Sequence, residues 1–223
     1  MQNVLRFFAF RPEAGRRLPA EKLRLLRALT SKRAQLVEMR KRLLAQIRAH
    51  QKLGTAEMFE DIDTELKHQM DSLIKELEDR ITRTITSDDR MSETADILCS
   101  IPGIGPAETG PVARSMLIAE MPEIGTITGE QAAARTGLAP VANDSGTLRG
   151  KRAIAGARRA LRHVMFQAAL VAAHHNASLK TFADRLRKAG KPHKVIITAV
   201  ARKLVIIANA LCKTRQKWTV QTP

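Results

Sequence analysis

Ser145 lies in Asn143-Asp144-Ser145-Gly146, a turn-forming tetrapeptide, and Arg149, Lys151, Arg152, Arg158, Arg159 and Arg162 follow within 17 residues. Nucleophilic attack on a phosphodiester needs an exposed hydroxyl, an acceptor for its proton, cations on the nonbridging oxygens and in-line geometry. This stretch addresses two of the four. A turn exposes the hydroxyl, with Gly146 leaving room for a sugar-phosphate chain to approach, and guanidiniums offer paired donors to phosphate oxygens. Arg158 and Arg162, four apart, fall on one helical face. The proton acceptor is less well supplied: Asp144 is either that acceptor or the cap of the turn, and His163 is either a base or a residue packed at a helix boundary. Taken alone, these residues favour a loop corner over a nucleophile.

A second phosphate-binding pattern is Ile101-Pro102-Gly103-Ile104-Gly105, set between two apolar-periodic segments. It reads as a helix-hairpin-helix, in which Gly103 and Gly105 allow a tight turn whose backbone N–H groups hold a DNA phosphate. A plain connection between two packed helices is the alternative. The acidic run Glu57, Glu60, Asp61, Asp63 and Glu65 interleaves with Phe59 and Ile62, so it reads as a solvated helix face and not as a ligand set. His174-His175 reads as a polar pair at a helix end. Lys191, His193 and Lys194 around Pro192 serve equally as a phosphate-touching loop or a solvated connection, and Lys213, Arg215 and Lys217 form a basic tail. Cys99 and Cys212 are far apart in apolar runs, which favours reduced thiols over a disulfide or a zinc site. No metal ligand is assigned.

Charge distribution points to the partner. Lys plus Arg against Asp plus Glu stands at 20 to 20 over residues 1–134 and at 18 to 2 over residues 135–223, so the whole net charge of +16 belongs to the second part. Cations on a polyanion release condensed counterions, and this asymmetry predicts a nucleic-acid partner for the C-terminal part. With six Phe, one Trp and no Tyr, the composition favours gripping a backbone over stacking on unpaired bases. No stretch reaches about 18 uninterrupted apolar residues, and the first residues are charged too soon for a secretory signal, so no membrane partner and a cytoplasmic location are expected.

The elements that must carry these residues are helical. Leu26, Leu29, Leu36, Leu43 and Ile47 recur three or four apart over residues 20–49, although Arg33 and Arg40 interrupt the seam. After Gly54, Phe59, Ile62, Leu66, Met70, Leu73, Leu77, Ile81 and Ile85 repeat the spacing. These predict a long helical hairpin with one apolar seam open, covered by a second copy more readily than by the rest of this chain. Ser87 with Asp88 and Asp89 predicts an N-cap for a helix reaching Cys99 or Ser100. Shorter helices are expected at 131–136, 158–173 and 179–189, and a strongly apolar last one at 195–211, with Lys203 on its inward face. Residues 147–157 read as irregular, and no strand is expected. The fold class is all-α: a lead-in over residues 1–19, a coiled-coil hairpin over 20–86, and a compact helical domain over 87–223 that contains the helix-hairpin-helix.

The succession GLAP, NDSG, RGKRAI, RRALRHVMFQAALVAAHHN and LRKAGKPHKVIITAVARKLVIIANAL strongly resembles the C-terminal domain of transposases of the insertion sequence 110 type. IPGIG resembles that domain's entry, so the likeness runs from about Thr94 to Trp218. RFFAFRPEAGRRLP and the helix around SKRAQLVEMRKRL resemble the family's linker and coiled coil more loosely. The resemblance implies a bridge-RNA-guided DNA recombinase with double-stranded DNA and a structured guide RNA as partners, working as a homodimer or tetramer. It further implies that the serine of the DSG motif, Ser145, attacks DNA and becomes covalently linked to it. The family's four divalent-metal carboxylates belong to an N-terminal RuvC-like domain, and none of them is assignable in this sequence. A metal such as magnesium is therefore expected only with that domain, and this chain alone is expected to be inactive. The competing expectation is a noncatalytic nucleic-acid-binding remnant or a regulator of a full-length transposase.

Overall fold

The structure is a computed structural model that describes residues 21–105, 110–141, 144–145, 148–149, 153–154 and 158–219. Its frame is all-α. A hairpin of two long helices, α1 (Glu21–Leu53) and α2 (Glu60–Thr86), leads into α3 (Asp89–Cys99), α4 (Gly110–Glu120), α5 (Gly129–Arg135), α6 (Arg159–His175), α7 (Ala177–Lys188) and α8 (His193–Thr214). At 1.5 Å per residue, α1 is about 50 Å long.

The arginines that break the seam of α1 have partners across the hairpin. Arg33 Nη2 lies 2.6 Å from Glu78 Oε1, and Arg40 pairs with Asp71. Seven residues forward on α1 correspond to seven backward on α2, the signature of an antiparallel pair in register. The seam is thus part apolar and part ionic, and arginine's long methylene stem suits this position because it covers apolar surface while the charge reaches its partner.

The expected preference for a second copy over this chain's own domain is corrected at the base of the hairpin. Leu26, Ile81 and Ile85 join the hydrophobic core of the domain, and Arg27 Nε donates to the Ala119 carbonyl in the last turn of α4 at 2.7 Å. The far part of the hairpin is different: Leu53, Met58 and Ile62 are 74%, 72% and 54% exposed.

The core of the domain is α8. Val200, Ala201, Leu204, Val205 and Ala208 are fully buried, and α3, α5, α6 and α7 all pack on this helix. α8 is the one described helix long and apolar enough to cross a membrane; here its apolar residues are the centre of a helical fold. Lys203, expected inward, is exposed, with its ammonium 4.7 Å from the centre of the Phe182 ring.

Two local signals are corrected. Asp88, not Ser87, caps α3, accepting from the Met91 N–H at 3.0 Å, while Ser87 closes the end of α2. Where no strand was expected there are two short antiparallel pairings in separate two-stranded sheets: β1 (Pro140–Val141) pairs with β4 (Ala153–Ile154), and β2 (Asp144–Ser145) pairs with β3 (Leu148–Arg149), with β3 and β4 falling in the stretch expected to be irregular. The expectation failed because each pairing is only two residues long, too short to show a period of two in the sequence.

Candidate nucleic-acid interface

β1 begins five residues after α5 stops. Gly137 takes φ +70° and its N–H and that of Leu138 donate to the carbonyls of Ala134 and Ala133, both at 2.9 Å, a Schellman closure that turns the chain out of the helix. Pro140 then pairs opposite Ile154, and further along Ser145 pairs opposite Leu148 with Gly146 and Thr147 between them. Ser145 therefore sits beside the tip of a hairpin, where its backbone is held by strand pairing. Its side chain and that of Arg149 lie outside the described part, as do Lys151 and Arg152 entirely.

Arg159, Arg162 and His163 project from one face of α6, at spacings of three and one. Lys194, Thr198 and Arg202 project from one face of α8, four apart. These two faces border a cleft of about 670 Å³. Leu138, with Pro140 and Ile154 of the β1–β4 pair, closes one side of it, and Phe166 and Val195 supply further apolar wall. Among the described residues no ion pair forms at Arg159, Lys194 or Arg202. Cations held together without counter-charge make a site for an anion, and the concave walls strengthen its field.

Sequence reasoning missed Arg202 and left Lys194 undecided. Their spacing of eight residues, about two turns of helix, was the available signal, but Arg202 sits amid a run read as strongly apolar.

Arg158 is not a member of this cleft. Its Nη2 lies 3.0 Å from Glu123 Oε1, and Arg135 Nη1 lies 2.8 Å from the same oxygen. Burial alone pushes the Glu123 carboxyl up, but the hydrogen bond from Arg135, a backbone hydrogen bond and the charge of Arg158 outweigh it and hold the group below its ordinary value. Of the arginines expected to clamp phosphate, this one is engaged in joining the start of α6 to the α4–α5 connection.

Gly103 and Gly105 have a packing role in the structure. A Cβ on Gly103, at φ +107°, would come within 2.5 Å of the Ala172 Cβ, and one on Gly105 would come within 2.9 Å of the Cys99 carbonyl oxygen. The Gly105 N–H donates within its own turn to the Ile101 carbonyl at 3.0 Å. Both glycines are buried, and the turn is drawn against the alanine face of α6.

His163 is exposed, as are His174 and His175 at the end of α6. Both cysteines are free. Burial, with the charge of Glu93 as a second cause, pushes the Cys212 thiol up to about 12, which keeps it protonated and unreactive at neutral pH. Among the described residues no group of three or more His, Cys, Asp or Glu could hold a metal ion.

Two known proteins align with much of the chain. A pilin gene-inverting protein of Moraxella bovis is 29% identical over 179 residues, which is 79% of this chain and 54% of that protein. A pilin gene-inverting protein of Moraxella lacunata is 28% identical over the same length and shares. The chain thus spans about half the length of these curated relatives. Residues 95–184, from α3 into α7 and including β1 to β4 and all of α6, match the model of the Transposase IS116/IS110/IS902 family, and this domain, with the two relatives, supports a protein of the transposase or recombinase kind.

Proposed function

We propose that this chain is the DNA-handling part of a transposase that cuts and rejoins DNA through a serine-phosphate linkage. The observation that carries the reading is the cleft between α6 and α8, whose cations Arg159, Lys194 and Arg202 form no ion pair among the described residues and whose wall includes Pro140 and Ile154 of the β1–β4 pairing, five residues in sequence before Ser145 and nine after it. Duplex DNA is the proposed substrate, with its phosphates on the α6 and α8 cations. A structured guide RNA and a second copy, met through the open part of the α1–α2 hairpin, are the further partners.

In the proposed step the Ser145 Oγ attacks phosphorus. An Oγ–P bond forms, the P–O bond to one sugar breaks, and the departing sugar oxygen gains a proton as the serine hydroxyl loses one. Rejoining is the reverse attack by a sugar hydroxyl, which releases the serine. The role proposed for this chain is binding, positioning and the nucleophile, and the divalent ion implied by the resemblance is expected with the RuvC-like domain.

The test is covalent capture: the protein is mixed with labelled duplex DNA and a RuvC-like partner of the family, then denatured and resolved by mass. A Ser145-dependent protein–DNA adduct is expected, absent in Ser145→Ala. An equal adduct in Ser145→Ala would overturn the serine assignment. Salt-sensitive DNA binding with no adduct under any condition would favour a noncatalytic binding module.

A further inference from the structure

The cleft between α6 and α8 is lined in a way that a sugar-phosphate chain alone does not explain. The four basic side chains suit phosphates, but they border a concavity that also has Phe166, Val195, Ile154 and Pro140 in its walls. Val195 is 51% exposed and Ile154 36% exposed, so these apolar surfaces face water. A duplex backbone resting on the rim would leave them wet. A planar apolar group carried on an anionic chain would cover the walls and meet the cations at once, and its size fits: about 670 Å³ lies in the range of small-molecule sites.

We infer that this cleft takes a single unpaired nucleotide, its base against Phe166 and Val195 and its flanking phosphates on Lys194, Arg202 and Arg159. The inference rests on the nucleic-acid reading of the same cleft and narrows it to an unstacked base within or at the end of a duplex. Although aromatic rings are scarce in this chain, one of them stands in this wall. A base lifted out of a helix loses its stacking, and an aromatic and aliphatic wall restores part of it irrespective of base identity. A reaction that cuts and rejoins strands offers such nucleotides wherever pairing is interrupted.

The experiment compares three duplexes of equal length and charge pattern: fully paired, bearing one unpaired adenine, and bearing an abasic residue at that same unpaired position. The full chain is expected to bind the adenine duplex at least about five-fold tighter than the abasic one, the ratio set by about 1 kcal/mol of base stacking. In Phe166→Leu and in Ala199→Leu, which respectively remove the ring and fill the cleft, that ratio is expected to collapse toward one; circular dichroism establishes that each is folded, and either variant suffices. Equal affinity for the adenine and abasic duplexes, or a ratio that survives in Ala199→Leu, would overturn the inference while leaving the cleft as a backbone site. Failure to bind any of the three at low salt would remove both the inference and the nucleic-acid reading beneath it.

Discussion

Arg158 Nη2 lies 3.0 Å from Glu123 Oε1, so the first basic residue of the α6 motif is tied to an acid brought from 35 residues earlier in the chain. Arg135 donates to the same oxygen. Glu123 is 16% exposed in its side chain, so removing its charge leaves two guanidiniums facing each other across a half-buried space.

Glu123→Gln is therefore expected to lower stability by on the order of 1–2 kcal/mol at neutral pH, measured by urea unfolding. The pH dependence has a defined sign. The folded carboxyl sits below its ordinary 4.5, so in acid the native state binds fewer protons than the unfolded one. The contribution is then present above about pH 4.5 and lost as pH falls through the lower folded value. Wild type should weaken across that window more steeply than Glu123→Gln; identical pH profiles would remove the assignment.

Lys194→Ala and Arg202→Ala are expected to weaken DNA binding without loss of fold. If each side chain neutralises one phosphate, each variant reduces the slope of log affinity against log salt by about 0.9. Arg158→Ala, with its partner inside the protein, is expected to reduce stability and leave the slope unchanged. Titrations over a series of salt concentrations separate the two behaviours.

Gly103→Ala is expected to be strongly destabilising, by about 3 kcal/mol or more. The new Cβ would meet the Ala172 Cβ at 2.5 Å and the Ala168 carbonyl oxygen at 3.0 Å, on a backbone at φ +107°. Gly54, with φ +70° and open space around it, serves as the comparison, and Gly54→Ala should cost only about 1 kcal/mol by thermal unfolding. A Gly103→Ala protein as stable as wild type would contradict the close approach of the turn to α6.

Ile62→Lys with Leu66→Lys should convert an oligomer to a monomer in sedimentation velocity, since both residues are exposed on α2, four apart on one face. The melting temperature of the isolated protomer should not fall, because neither side chain is in the core. A wild-type chain that sediments as a monomer at high concentration would remove the assembly role of the hairpin.

Periodicity alone revealed the long helices because their apolar spacing repeats over many turns, and the charge count alone located the basic part of the molecule. It also marked Arg159 and Arg162, which the structure places on the wall of the cleft. The residues facing them were not legible. Lys194 and Arg202 are more than thirty residues away and become neighbours of Arg159 and Arg162 only because α8 packs along α6. Arg158 looked equivalent to its neighbours in the motif, and only the connection carrying Glu123 sets it apart.

Helical segments, the accumulation of positive charge and the places where the chain must turn could be read from residue order, since these depend on neighbours within a few residues. Tertiary structure decided which cations are neutralised, which glycines are buried and which apolar residues line a cleft. Those outcomes depend on contacts between segments far apart in the chain, whose energies no local pattern records.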